Sequence, residues 1–101
     1  MEIIHGVPVA HLQGEIDRSN AGAIEPELLA LAPGPVIVDL SRLAFLSSAG
    51  LAVLFGLAKR CVRIAVVAPV GAPFRRTLEV AELSRVAHVV DSVHLALEDF
   101  A

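Results

Sequence analysis

Two adjacent serines, Ser47 and Ser48, are the residues best placed for chemistry; they lie in the stretch Phe45-Leu46-Ser47-Ser48-Ala49-Gly50-Leu51. A serine just ahead of a helical run can cap the helix by accepting a bond from an orphan backbone N–H. It can also carry a phosphate, because a helix N-terminus offers free N–H groups and the positive end of the peptide dipoles. A third use, nucleophilic catalysis, finds no support. No glycine stands two residues before Ser48, so the nucleophile elbow of hydrolases is absent. No histidine occupies a position from which activation of Ser48 can be argued, and no Gly-rich phosphate loop, zinc spacing or dinucleotide fingerprint is present. The chain therefore reads as a non-enzyme with no catalytic residue, metal ligand or cofactor. His5 and His11 lack Cys or carboxylate partners at ligand spacing and read as surface or strand-face residues. Cys61, the single cysteine, excludes an internal disulfide and reads as a small packing residue.

The serines need elements to hold them. Upstream, Val36-Ile37-Val38-Asp39-Leu40 is a short β-branched apolar run, the pattern of a strand buried on both faces. Downstream, Leu51 to Arg60 is a string of good helix formers ending in Lys59-Arg60, so a helix is predicted from Ser48. Earlier, Glu2-Ile3-Ile4 and Val7 to Gln13 read as strands joined by a turn at His5-Gly6. Gly14-Glu15-Ile16-Asp17 then leaves the strand for a helix over Ala21 to Ala30, with Asp17, Ser19 and Asn20 as available caps. That helix buries Ile24, Leu28 and Leu29, and Pro26 belongs to its first turns. Later come a strand over Val62 to Val67, a helix over Pro73 to Ala81, a strand over Val86 to Val90, and a helix capped by Asp91-Ser92. In the Pro73 helix, Phe74, Leu78 and Ala81 should point inward and Arg75, Arg76 and Glu79 outward. The order is β(βα)4. It predicts an α/β domain over residues 1–101, with a mixed, mostly parallel sheet of about five short strands and about four helices. In open sheets of this kind sites gather beyond the carboxyl ends of the strands. Asp17 and Ser48 each follow a strand end, which places them on one edge.

Composition excludes other classes. Hydrophobic residues make up 55% of 101 residues, and the mean hydropathy is +0.71. The longest apolar run, Leu51 to Ala58, falls short of the roughly 20 residues a bilayer needs, so no membrane insertion is expected. Met1 is followed by Glu2 rather than a basic segment, so no secretory signal is visible and a complete, cytoplasmic protein is expected. A net charge of -3, no basic tract and an aromatic share of 4% argue against nucleic-acid binding.

The helix after Ser48 is unusually apolar. Projected at about 100° per residue, Leu51, Leu54, Phe55 and Ala58 fall on one side. Ala49, Ala52, Val53, Gly56 and Arg60 fall opposite, where a helix on a sheet normally shows charge. Three explanations stand: a second helix covers that face, the chain self-associates as a weak dimer, or a partner docks there beside Ser48.

These motifs carry a family resemblance. Asp39-Leu40-Ser41 followed by Phe45-Leu46-Ser47-Ser48-Ala49-Gly50-Leu51 resembles the signature of STAS domains of the anti-sigma-factor antagonist type. Gly14-Glu15-Ile16-Asp17 resembles the family's early Gly-Glu-Leu/Ile-Asp, and Phe74 to Leu83 resembles its late helix, so the likeness spans nearly the whole chain. Ser48 aligns with the phosphorylated serine. Ser47 stands where the family usually has Asp. The resemblance implies a switch in which the unphosphorylated form binds an anti-sigma factor that is also a serine kinase. Binding frees a sigma factor, phosphorylation of Ser48 ends it, and a serine phosphatase resets it. Asp17, Ser47, Ser48, Ala49, Ala52, Val53 and Gly56 would form the partner surface. The alternative is a STAS scaffold subunit without a phosphate cycle, in a lipid-transport ATPase complex or a larger sensor assembly.

Overall fold

The computed structural model describes residues 1–100. Strand β1 (Glu2–Ile4) turns through His5 and Gly6 into β2 (Val7–Ile16), and the two pair antiparallel. Both turn residues have positive φ, 51° and 80°. A two-residue turn of this hand demands that, and it matches the twist of the strands it joins. Helix α1 (Ala21–Leu29), β3 (Val36–Leu46), α2 (Ser48–Arg60), β4 (Ile64–Val67), α3 (Arg75–Val80), β5 (His88–Val90) and α4 (Val93–Asp99) follow. The sheet order is β1-β2-β3-β4-β5, with β2 to β5 parallel.

Sequential parallel strands joined by right-handed crossovers put their helices on one face. Alternation along the strands shows it. Val36, Val38, Leu40, Ile64 and Val66 join the core formed with Leu28 of α1, Leu54 and Leu57 of α2 and Leu78 of α3. Ile37, Ala65 and Val67 face the other way, with Val7 and Val9, onto Ala96, Val93 and Leu97 of α4. Helix α4 follows the last strand and is free to fold back over the opposite face. Its start is set by the Ser92 hydroxyl, which accepts from the Leu95 amide at 3.2 Å.

Several expectations need correcting. Val62 and Arg63, expected in the strand, lie outside β4. In α1 the buried residues are Ala21 and Leu28, while Ile24 and Leu29 are half-buried. Strands β2 and β3 are longer than the apolar runs that announce them, by the polar or mixed segments Gly14–Ile16 and Ser41–Leu46. Those segments pair with each other, and ladder hydrogen bonds together with the burial of Ile16, Leu43 and Leu46 hold them extended. Val86 and Ala87 lie outside β5, because a 3-10 turn at Leu83–Arg85 uses up the chain between. Arg75 does not point outward: its guanidinium donates to the Ala68 carbonyl and, at 2.9 Å, to Asp91 Oδ1, tying α3 to the ends of β4 and β5.

Candidate functional site

The site edge is built by β2 and β3 running side by side to their ends. Ile16 pairs with Leu46, and the Ser47 amide donates to the Ile16 carbonyl at 2.9 Å. Asp17 and Ser47 are therefore the first residues beyond two neighbouring parallel strands, at the edge where such sheets carry their sites.

At this edge the two serines do different things. Ser47 is the cap of α2: its hydroxyl accepts from the Gly50 amide at 3.3 Å, and its carbonyl accepts from the Leu51 amide. Ser48 is the first residue of α2 and is exposed. Gly50 is buried, and a Cβ there would lie 2.6 Å from Leu46 Cδ1 and 2.8 Å from Ile16 Cγ2. The first turn of α2 thus rests directly on the last residues of β2 and β3. Glycine makes that approach possible and fixes how far Ser48 stands from the sheet edge.

Asp17 heads a tight polar turn. Its Oδ1 accepts from the Ser19 amide at 2.8 Å and the Ser19 hydroxyl at 2.5 Å. The hydroxyl first, then the amide, hold its carboxyl below the usual aspartate range, so it is an anion at neutral pH. Asn20 staples the same loop, accepting from the Asp17 amide at 2.9 Å and donating to the Glu15 carbonyl at 2.7 Å. The caps expected at the start of α1 therefore spend their side chains on the loop that presents Asp17, and Asn20 makes no side-chain bond to the helix.

The face of α2 differs from the helical projection. Gly50, Val53, Leu54 and Leu57 are buried, an i, i+3, i+4, i+7 arc centred between the sheet and α1. Val53, expected on the partner face, is 6% exposed and belongs to the core shared with Ala21 and Leu28 of α1. Leu51, Phe55 and Ala58, expected inward, are only half-buried. The projection followed the largest side chains. The packing instead follows two supports, because α1 and the sheet both press on this helix, and a buried glycine adds no bulk to the apolar count. Gly56 is half-buried beside Glu25 of α1, and Arg60 folds back to donate to its carbonyl at 3.1 Å. Of the residues assigned to the partner surface, Ser48 and Ala52 are exposed, Ala49, Ser47, Asp17 and Gly56 half-buried.

Apolar surface that the sequence did not reveal lies on the α3 side. Leu51 shares a shallow groove of about 460 Å³ with Pro73, Arg76, Thr77, Val80 and Ala81. Val80 is 72% exposed, and Phe45, next to the same Pro73 and Thr77, is 50% exposed. Nothing in the spacing of Phe45 marks it as a surface residue. The signal available was Val80, which falls outside the Phe74–Leu78 inward pattern of its helix. Among the described residues no cluster of His, Cys, Asp and Glu could hold a metal, and no helix is long and apolar enough to cross a membrane. Burial raises the Cys61 thiol above its usual range.

Comparisons with known proteins agree on one family. The STAS domain model matches residues 1–96. The anti-sigma-F factor antagonist RsfB of Mycobacterium tuberculosis is 33% identical over 99 residues, covering 92% of this chain and 80% of that protein. The crystal structure of an anti-sigma factor antagonist from Mycobacterium paratuberculosis superposes with a TM-score of 0.87 at 30% identity, over 97% of this chain and 88% of that one. SpoIIAA, an anti-sigma factor antagonist solved in its unphosphorylated form, shares the fold with a TM-score of 0.66 at 17% identity, over 98% and 92%. With its sheet order, its Asp17 and Ser47-Ser48 edge and these matches, the chain belongs to the STAS domain family.

Proposed function

We propose that this protein is an anti-sigma factor antagonist whose partner, an anti-sigma factor with serine kinase activity, docks at the Asp17–Ser48 edge and is released when Ser48 is phosphorylated. The relatives' names supply the class of partner. The observation that carries the switch is the division of labour between the serines: Ser47 is consumed as the cap, while Ser48 is exposed at the positive end of a 13-residue helix. The docking surface comprises Ser48, Ala49 and Ala52, flanked by Asp17 on one side and by Leu51, Phe45 and Val80 on the other. Gly56 lies at its margin, and Val53 supports it from beneath. A phosphate adds about -1.5 to -2 charges and a hydration shell at the rim of this apolar surface. Weakening a partner about 100-fold takes about 2.7 kcal/mol, within reach of repulsion and desolvation together. A serine phosphatase would restore the binding form, and the setting is cytoplasmic, with the antagonist acting as a monomer or weak dimer.

The test is incubation with the partner kinase and ATP, followed by phosphopeptide mass spectrometry. Phosphate is expected on Ser48 and not on Ser47. Ser48→Ala should bind the anti-sigma factor constitutively, and Ser48→Asp should bind weakly. Phosphate on Ser47 would put the acceptor one residue off. Phosphate on neither, with binding intact, would leave a scaffold subunit of a larger assembly.

A further inference from the structure

Asp39 is the one buried charged residue among the described residues, 6% exposed in the middle of the sheet. It sits where β2 and β3 fall out of step. His11 pairs with Asp39, but Gln13 pairs with Arg42, so β3 takes three steps where β2 takes two. A second slip follows, since Gly14 pairs with Leu43 and Glu15 with Phe45. These are β-bulges in β3, and they convert its inward spacing from Val38 and Leu40 to Leu43 and Leu46. Without the first alone, every later side chain of β3 would turn to the wrong face. Without both, Leu43 would turn outward and the register with β2 would slip by two residues, so Leu46 would no longer pair with Ile16 and the Ser47 amide would no longer meet the Ile16 carbonyl.

Both oxygens of Asp39 are spent on the first bulge. Oδ1 accepts from the Ser41 amide at 2.9 Å, within the bulge itself. Oδ2 bonds across the strands to His11 Nδ1 at 2.6 Å, and His11 Nε2 reaches Glu2 Oε1 of β1 at 2.5 Å. An imidazole bonded to carboxylates through both nitrogens is a doubly protonated donor. The chain Glu2–His11–Asp39–Ser41 thus spans three strands at the place where the register is set.

We propose that Asp39, with His11 as its cross-strand partner, is the positioning residue that holds the β3 bulge in register and so sets where Asp17 and Ser48 stand relative to each other. This deepens the functional reading above, but its test does not depend on that reading. Amide hydrogen exchange is measured on the full chain as wild type, Asp39→Asn and Leu78→Ala, the last a core truncation in α3. Asn can accept from Ser41 or from His11 but cannot serve both as a charged acceptor. Asp39→Asn should speed exchange at the Ser41, Ser47 and Gly50 amides about 10- to 100-fold more than at Val66 and Ala96. Leu78→Ala should speed all of them together. A uniform response in Asp39→Asn overturns the proposal, since it marks a merely stabilising residue. Should Asp39→Asn fail to fold, His11→Val removes the cross-strand partner of Asp39, together with its bond to Glu2, from an exposed position, and the same localised or uniform pattern decides. In a parallel kinase assay, the proposal expects Asp39→Asn to lower kcat/KM at Ser48 while its circular dichroism stays native; an unchanged kcat/KM overturns it. Absence of phosphate on wild-type Ser48 would sink the phosphate switch instead, with the exchange pattern still deciding the role of Asp39.

Discussion

Ser47 and Ser48 are chemically identical and one position apart, yet a helix start separates them completely. One hydroxyl accepts from the backbone amide of Gly50, and the other belongs to an exposed residue. Ser47→Ala should therefore cost about 0.5–2 kcal/mol of stability, as lost caps do, while leaving Ser48 open to the kinase. Urea unfolding beside a phosphorylation assay checks both halves. Asp17 is a different case, because its carboxylate is turned onto Ser19 within its own loop rather than onto α1. Asp17→Ala should reduce partner binding or Ser48 phosphorylation with little loss of stability. A melting temperature that falls in step with the loss would make Asp17 a loop staple and nothing more.

At the scale of the element, α2 has two tasks that compete for its surface. One side must seal the core against the sheet and α1, and on the proposed function the other must stay bare beside Ser48. The helix meets both with Gly50, Val53, Leu54 and Leu57 inward and Ser48 and Ala52 outward. Ala52→Glu is expected to abolish partner binding in a protein with native circular dichroism, because a desolvated carboxylate at an apolar contact has no partner there. Val53→Glu, by contrast, should unfold the chain, since the charge would enter the core beside Leu28. Isothermal titration of folded Ala52→Glu that matches wild type would move the interface to the α3 groove around Leu51 and Val80.

For the whole molecule, the Glu2–His11–Asp39 tie makes stability depend on pH from both sides. The bond to Glu2 first, then that to Asp39, raises His11 above its ordinary 6.5. Its contribution is complete below pH 6.5 and is lost as pH rises through the raised value. Burial pushes Asp39 upward, but the bonds from Ser41 and then His11 outweigh it and leave its pKa below the ordinary 3.8. That contribution is complete above pH 3.8 and is lost as pH falls through the lowered value. Stability from this tie should therefore be greatest between the two ordinary values and decline toward alkaline pH. His11→Val should flatten the alkaline decline in urea unfolding series, and a decline of unchanged slope would assign it to other groups.

Much of this was written in local sequence. Strand and helix order, the turn at His5-Gly6, the α2 start at Ser48 and the placement of Asp17 and Ser48 on one edge all follow from periodicity, capping and turn chemistry. Those act over a few residues, so a linear reading captures them. What the linear reading could not contain is anything set by two supports at once. The buried arc of α2, and with it the loss of Val53 from the surface, depends on α1 and the sheet pressing together. The ends of β2 and β3 become strand because each finds the other far along the chain, as Gly14 finds Leu43 and Ile16 finds Leu46. His11 shows no partner in its neighbourhood of sequence, and Asp39 reads as the end of an apolar run. Only the parallel register brings them within 2.6 Å, because a cross-strand contact is a property of the pairing and not of either strand.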